Sequence, residues 1–328
     1  MAWMKPETQQ IREALRRYAA HLADATIEFM AEGWEFWAFR AGEHVLRFPK
    51  ADRGFAWKLG DQSSAESLRI ERALGPELAH QLSTPVTVID VYGELGPNGA
   101  PFAGHGFIEG VVIMYDAKPS AETWARRRLP HDEFGREVGR LIRELHSFPA
   151  ERAVDLGVPL FDGARLRNDR ERHYEDVIRR AFPLISCEAR THVQHVYEAY
   201  LNDARSFEFD PVLVHSDLAV NTLMDPATGR LCGLMDFSDA AVTDPSLDLW
   251  LPLYGLEHLG IEDQMAACLA EAGISEAGLE RMRPQLAFQH LRYPLIGVLQ
   301  GLTNREDDLV QQSILELNAS LPPDLRCE

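Results

Sequence analysis

The sequence predicts an α+β fold in two lobes, a small β-rich lobe followed by a larger helical one. Three observations carry that expectation. Aromatic and β-branched residues with turn signals gather in the first third of the 328 residues. From Gly110 onward apolar residues recur mostly at helical spacing. A short β-like patch, between residues 212 and 237, interrupts those helices with polar residues set on apolar runs.

The elements follow in order. Glu7 to Ala25 places Ile11, Leu15, Tyr18 and Leu22 on one helical face. Gly33 to Ala41 and His44 to Phe48 flank an Ala41-Gly42 turn and predict a hairpin. Ser63 to Leu82 predicts a helix with Leu68, Leu74 and Leu78 together. Val86 to Tyr92 and Gly104 to Glu109 are two more strands. Asp132 to His146 carries a clear apolar stripe, and Arg167 to Ala181 and Glu188 to Asp203 are further helices. Val212 to Val214, Thr222 to Met224 and Cys232 to Phe237 form the β patch, and helices resume at Ser246 to about Leu317. The expected organisation is an N-terminal helix over 1–25, an N-lobe over 26–110 and a C-lobe over 111–328, with a catalytic loop at 212–239.

Composition removes several classes. Lys and Arg number 33 against 51 Asp and Glu, a net charge of -18. Nucleic-acid binding is not expected, because phosphate neutralisation needs clustered basic residues. No membrane span is expected: the apolar stretch Leu249 to Leu256 is short and contains Pro252. Met1 to Gln10 has no apolar core of a secretory signal. The four cysteines lie far apart with no CxxC, which suits free thiols in a reducing cytoplasm. A monomer or homodimer is expected, and the first helix is free either to pack on the N-lobe or to dimerise.

The densest chemistry lies at His215-Ser216-Asp217, Asn221 and Asp236. Val212-Leu213-Val214 sets Asp217 at one strand end, and Leu234-Met235 sets Asp236 at another. The turn Asp225-Pro226-Ala227-Thr228-Gly229 folds the two together. Two carboxylates and an amide suit Mg²⁺, which takes oxygen ligands. They also suit phosphoryl transfer, where one Asp orients a hydroxyl while a second Asp and an Asn hold metal on phosphates. A single Asp at a strand end is ordinarily a cap, but the ordered set is a stronger signal.

The run His215-Ser216-Asp217-Leu218 to Asn221, then Gly233-Leu234-Met235-Asp236-Phe237-Ser238-Asp239, then Asp244-Pro245 and Asp248-Leu249, resembles the aminoglycoside phosphotransferase family. Val45-Leu46-Arg47-Phe48-Pro49-Lys50 is similar to that family's third strand, Ala103 to Gly110 to its hinge, and Val138 to His146 to its long helix. Within the family, the 2''-aminoglycoside and 2'-macrolide phosphotransferases look nearest. The resemblance implies a protein-kinase-like bilobal fold, ATP or GTP between the lobes, and Mg²⁺. It implies Asp217 as catalytic base, Asn221 and Asp236 as metal ligands, and Arg47 on phosphate with Glu71 as its partner and Glu66 as the alternative. Backbone groups of Phe107, Ile108 and Glu109 would hold the purine. Four features depart from the family pattern. Asn221 comes four residues after Asp217 instead of five, leaving Thr222 at the usual offset; Arg47 replaces a lysine; Ser238 replaces a glycine; and no GxGxxG phosphate loop precedes the first hairpin. A Walker A motif is absent as well.

The favoured acceptor is a cationic antibiotic, an aminoglycoside. Leu231 to Glu280 holds ten acidic residues and no basic one, and Asp239, Glu257 and Asp263 are candidate contacts. A macrolide would instead use Leu251, Leu253, Tyr254, Phe288 and Tyr293. A metabolic small molecule is a further alternative, and a kinase-like binding module without turnover is the alternative from another class. Trp34, Trp37 and Phe39 are expected in the core or at its rim. His146 is expected to serve the helix end or packing, and Asp244 and Asp248 to cap a helix.

Overall fold

The computed structural model describes residues 3–50, 58–96, 99–112, 131–249, 253 and 263–322. Five antiparallel strands form the first sheet in the order β1-β2-β3-β5-β4. They are β1 (Ile27–Glu32), β2 (Phe36–Ala41), β3 (His44–Pro49), β4 (Ile89–Leu95) and β5 (Ala100–Gly106). The β2–β3 hairpin turns at Gly42, whose φ of 60° suits a residue without Cβ.

The pleat sorts side chains between two faces. Trp37, Phe39, Leu46, Phe48 and Phe102 face one side, where helix α1 (Thr8–Tyr18) covers them with Ile11, Ala14 and Leu15. The first helix therefore packs on the N-lobe, and Trp37 and Phe39 are core. Phe36 and Ala103 face the other side and meet Leu68 of helix α2 (Ser64–Gln81). Arg47, between Leu46 and Phe48, points to this second face, with its guanidinium 5.0 Å from the Phe36 ring centre. Ile89 and Val91 serve opposite faces because a register shift separates them.

The larger lobe is helical. Its main elements are α3 (His131–His146), α4 (Ala150–Asp155), α5 (Gly163–Asp176), α6 (Cys187–Asn202), the one-turn α7 (Leu218–Asn221), α8 (Asp263–Glu271), α9 (Glu276–Asn304) and α10 (Asp307–Ser320). One apolar core joins α2 to α3 and to the β patch through Leu74, Leu78, Leu141, Ile142, Leu213 and Leu234. A second core packs α5, α6, α9 and α10, with the Tyr200 and Phe288 rings stacked 3.8 Å apart.

Short strands carry the site. β7 (Val212–Val214) pairs with β10 (Ala241–Thr243), while β8 (Thr222–Met224) pairs with β9 (Leu231–Leu234) and with β6 (Val111–Val112). Several expectations shift, and the strand expected over Val86–Tyr92 runs over Ile89–Leu95. The strand β1 was not foreseen, since five of its six residues are exposed and show no alternation. The expected strand Gly104–Glu109 runs instead over Ala100–Gly106, and Cys232–Phe237 shortens to Leu231–Leu234. Asp236, two residues past the end of that strand, takes a left-handed φ of 61°. Among the described residues, no helix is long and apolar enough to cross a membrane.

Candidate active site

β7 ends at Val214, and the chain turns sharply at Ser216, whose φ is 69°. A non-glycine residue there stores about 1–3 kcal/mol of strain, and Asp236 is a second such residue in the same site. The strain persists because a buried carboxylate holds the turn. Asp248 accepts the backbone N–H of His215 at 3.0 Å and of Ser216 at 2.8 Å, and His146 Nε2 lies 3.1 Å from its other oxygen. His215 completes the clamp. Its Nδ1 accepts the Asp217 N–H at 3.3 Å, so Nε2 carries the proton and donates to Met235 O at 2.9 Å. Asp248 and His146 thus position the loop instead of serving only helix ends. Asp244 does cap, accepting the Ser246 N–H at 2.9 Å.

The clamp presents Asp217 to an open cleft that Ser216, Asp239 and Trp34 also line. Burial pushes the Asp217 carboxyl well above the usual carboxylate range, and the charges of Asp239 and Asp236 push the same way. Asn221 opposes them: its amide donates to Asp217 Oδ2 at 3.1 Å and to Asp217 O at 3.0 Å. The one-residue-shorter loop still brings Asn221 to Asp217, because Leu218–Asn221 closes a single helical turn. Thr222 is turned away, donating to Leu218 O.

Arg47 ties the first lobe to this centre. Its guanidinium bonds Glu71 and, at 2.9 Å, Asp236 Oδ1. Burial alone would raise Asp236, but the Arg47 charge and a hydrogen bond with the Ser238 side chain hold it below the ordinary carboxylate value. Glu71 is pushed up to about 7 by burial, against the pull of Arg47. Glu66 is excluded as the alternative partner, since it is spent on the capping box with Ser63. After β5, the Phe107 N–H donates to Glu43 O at 2.7 Å and Glu109 O accepts the Cys232 thiol at 3.1 Å. Two of the backbone groups expected to hold a purine are thus engaged within the protein.

Sequence reasoning missed Lys58. It is 4% exposed and reaches Glu35 at 2.6 Å, Ser67 at 2.8 Å and Ser238 O at 3.0 Å, with Asp239 at 3.5 Å. It also missed Arg170 and Arg292, both buried against the same cleft. No periodicity marks these three, because the cleft they line is assembled from segments far apart along the chain.

The acidic stretch does not form a cleft wall among the described residues. Asp239 lines the cleft but faces Lys58. Asp244 and Asp248 support loops, while Glu271 pairs with Arg143 at 2.7 Å and Glu280 with Arg283 at 2.7 Å. Glu257 lies outside the described residues, as does the side chain of Asp263, which opens α8. Of the apolar set suggested for a macrolide, Leu253 and Phe288 belong to the cores and Tyr293 lines the cleft; Leu251 and Tyr254 lie outside the described residues.

A sheet-and-helix pair of lobes, with an HxD loop facing an Asp-Phe segment and an arginine–glutamate pair in the first lobe that reaches this segment, defines a kinase-like phosphotransferase. The chain belongs to the phosphotransferase enzyme family APH, whose model matches residues 26–285. No curated protein matches it. Among solved structures, it is similar to the GDP and kanamycin complex of the aminoglycoside phosphotransferase APH(2'')-IIIa, at 24% identity and a TM-score of 0.78 over 95% of this chain and 98% of that one. It is also similar to the macrolide 2'-phosphotransferase MphH of Brachybacterium faecium, at 20% identity and a TM-score of 0.63 over 93% and 97%. The gentamicin complex of APH(2'')-IIa matches at 19% identity and a TM-score of 0.66 over 99% and 100%.

Proposed function

We propose that the chain transfers the γ-phosphoryl group of ATP or GTP to an alcohol hydroxyl of a small molecule, with Asp217 as catalytic base. The observation that carries this is Asp217 itself. It is held on a strained, clamped loop, faces an open cleft, and has a carboxyl biased toward taking a proton. In this reading residues 26–110 hold the nucleotide and 111–328 supply the catalytic loop and the acceptor site. Such work belongs in the cytoplasm, where both nucleotides are supplied.

Asn221 and Asp236 offer the hard oxygen donors that Mg²⁺ takes, and the carboxylates of Asp239 and Asp236, which push the Asp217 carboxyl up, support a cation there. When bound there, Mg²⁺ supplies neutralisation of phosphate charge. Arg47 holds phosphate oxygens from the other lobe, and Glu71 fixes the direction of its fork. Asp217 orients the acceptor hydroxyl and takes its proton at a carboxylate oxygen; Asn221 holds that carboxylate in place. A cationic antibiotic is the second reading of the acceptor, supported by the kanamycin and gentamicin held in two similar structures.

A nucleotide-turnover assay with Mg²⁺ and a panel of hydroxylated acceptors tests the reading. Asp217→Asn is expected to lower acceptor-dependent kcat by about 10²–10⁴-fold while nucleotide affinity holds. Turnover that survives the substitution would overturn the assignment.

A further inference from the structure

Trp34 stands apart from the other aromatic residues of its hairpin. Phe36, Trp37 and Phe39 are buried in the first lobe, whereas Trp34 is 38% exposed in the turn between β1 and β2. The turn is nonetheless held on both sides. The Gly33 N–H donates to Phe36 O at 2.9 Å, and the Lys50 N–H donates to Glu35 O at 2.7 Å. The Glu35 carboxylate pairs with Lys58 at 2.6 Å and accepts the Ser64 hydroxyl at 3.2 Å. Both neighbours of Trp34 are tied down, so its side chain enters the Asp217 cleft from an anchored backbone. The surfaces it meets there belong to the second lobe. Leu247 lines the same cleft, as do Gln289, Tyr293 and Ile296, whose spacing sets them on one face of α9. Among the described residues, that lining includes neither Arg47 nor Glu71 nor any of residues 107–109, the groups read as serving the nucleotide.

Charges of both signs line this cleft, Asp217 and Asp239 beside Arg170 and Arg292, so charge alone does not select an acceptor. Apolar surface does, and each lobe contributes some: Trp34 from the first, Leu247, Tyr293 and Ile296 from the second. An aromatic side chain brings a large contact area, and one on an anchored turn loses little freedom when a ligand packs on it. We propose that Trp34 is an acceptor-binding residue supplied by the nucleotide lobe, with its indole packed on a ring of the acceptor while Asp217 holds the hydroxyl. This rests on the phosphotransferase reading and names its substrate class, an alcohol carried on a frame with a flat apolar face. Such a residue reads the acceptor and leaves nucleotide affinity to Arg47 and its neighbours.

The test uses one neutral polyol with and without a flat apolar face, phenyl β-glucoside and methyl β-glucoside. Binding to the full chain in the presence of Mg²⁺ and ADP is measured by calorimetry. The phenyl glucoside is expected to bind at least ~10-fold more tightly than the methyl glucoside. Trp34→Ala should bring that ratio close to one with ADP affinity unchanged, and Trp34→Phe should keep most of it, with circular dichroism showing both variants folded. A Trp34 that only supports the turn would weaken ADP and both glucosides together. If both variants unfold, the wild-type ratio alone decides. Equal affinities of the two glucosides, binding by neither, a ratio unmoved in folded Trp34→Ala, or an equal loss of ADP affinity overturns the inference. Turnover is read in parallel with the two glucosides, kanamycin and erythromycin as acceptors. A phenyl preference that Trp34→Ala abolishes, without turnover of any acceptor, would remove the kinase reading alone. Turnover whose acceptor KM is unmoved in Trp34→Ala would remove the Trp34 site alone.

Discussion

Arg47 is buried between two acids, and that makes its contribution asymmetric. Removing it leaves Glu71 buried without its cation, whereas removing both leaves an apolar gap. Arg47→Met is expected to cost about 3–5 kcal/mol of stability in urea unfolding. Adding Glu71→Leu should return most of that loss, while activity stays low in both variants. A double variant as unstable as the single would show that the pair is not the source of the cost. The same residues show what was legible in the sequence. Asp217, Asn221, Asp236 and Arg47 sit in ordered motifs on strand ends, so their approach to one another could be read from spacing. Lys58, Arg170 and Arg292 could not be read that way. Each becomes significant only when distant segments close around it, such as Lys58 with Ser238, 180 residues along the chain.

At the scale of elements, the catalytic loop depends on a carboxylate from a later segment. Asp248 receives two backbone N–H groups and His146, so it fixes the Ser216 turn without touching a reacting atom. Asp248→Ala should lower kcat by roughly 10–100-fold with KM for nucleotide little changed, because displaced catalytic geometry costs rate before binding. An equal rise of KM with kcat unaltered would count against this positioning role. The sequence showed Asp248 but suggested a helix cap, since capping is the local use of such a residue and the clamp is a tertiary one. Strand β5 carries a second testable feature. Burial pushes the His105 imidazole down to about 4, and the Arg47 charge pushes the same way. The unfolded chain takes this proton near the ordinary value of 6.5 but the folded one only near 4. The group therefore supports the fold above pH 6.5, and that support drains away as pH falls toward 4. Between pH 7 and 5 the loss is ~2 kcal/mol. His105→Asn keeps a donor for Gly106 O and cannot titrate, so its urea midpoint should fall less than the wild type's over that range. Parallel pH profiles would exclude His105 as the source. Strand β1 escaped the sequence for a different reason: it is an exposed edge without alternation.

Across the whole molecule, two buried cations bind the lobes together. Arg47 reaches from β3 to Asp236, and Lys58 reaches from the first lobe to Ser238 and Asp239 while holding Glu35 ahead of β2 and Ser67 on α2. Both anchor on the short segment from Asp236 to Asp239, so the site and the lobe contact share the same residues. Lys58→Met should release that contact at the Asp239 side while Arg47 keeps the Asp236 side. The expected result is a loss of ~3 kcal/mol or more, because Glu35 is stranded in a buried place. Hydrogen exchange should quicken at residues 33–36 and 237–240 together, as both ends of one link are freed. Glu35→Gln combined with Lys58→Met should recover stability but not the slowed exchange, since the neutral pair no longer reaches across to Asp239. Faster exchange at 33–36 alone would place Lys58 within the first lobe only and leave Arg47 as the cation that joins the two.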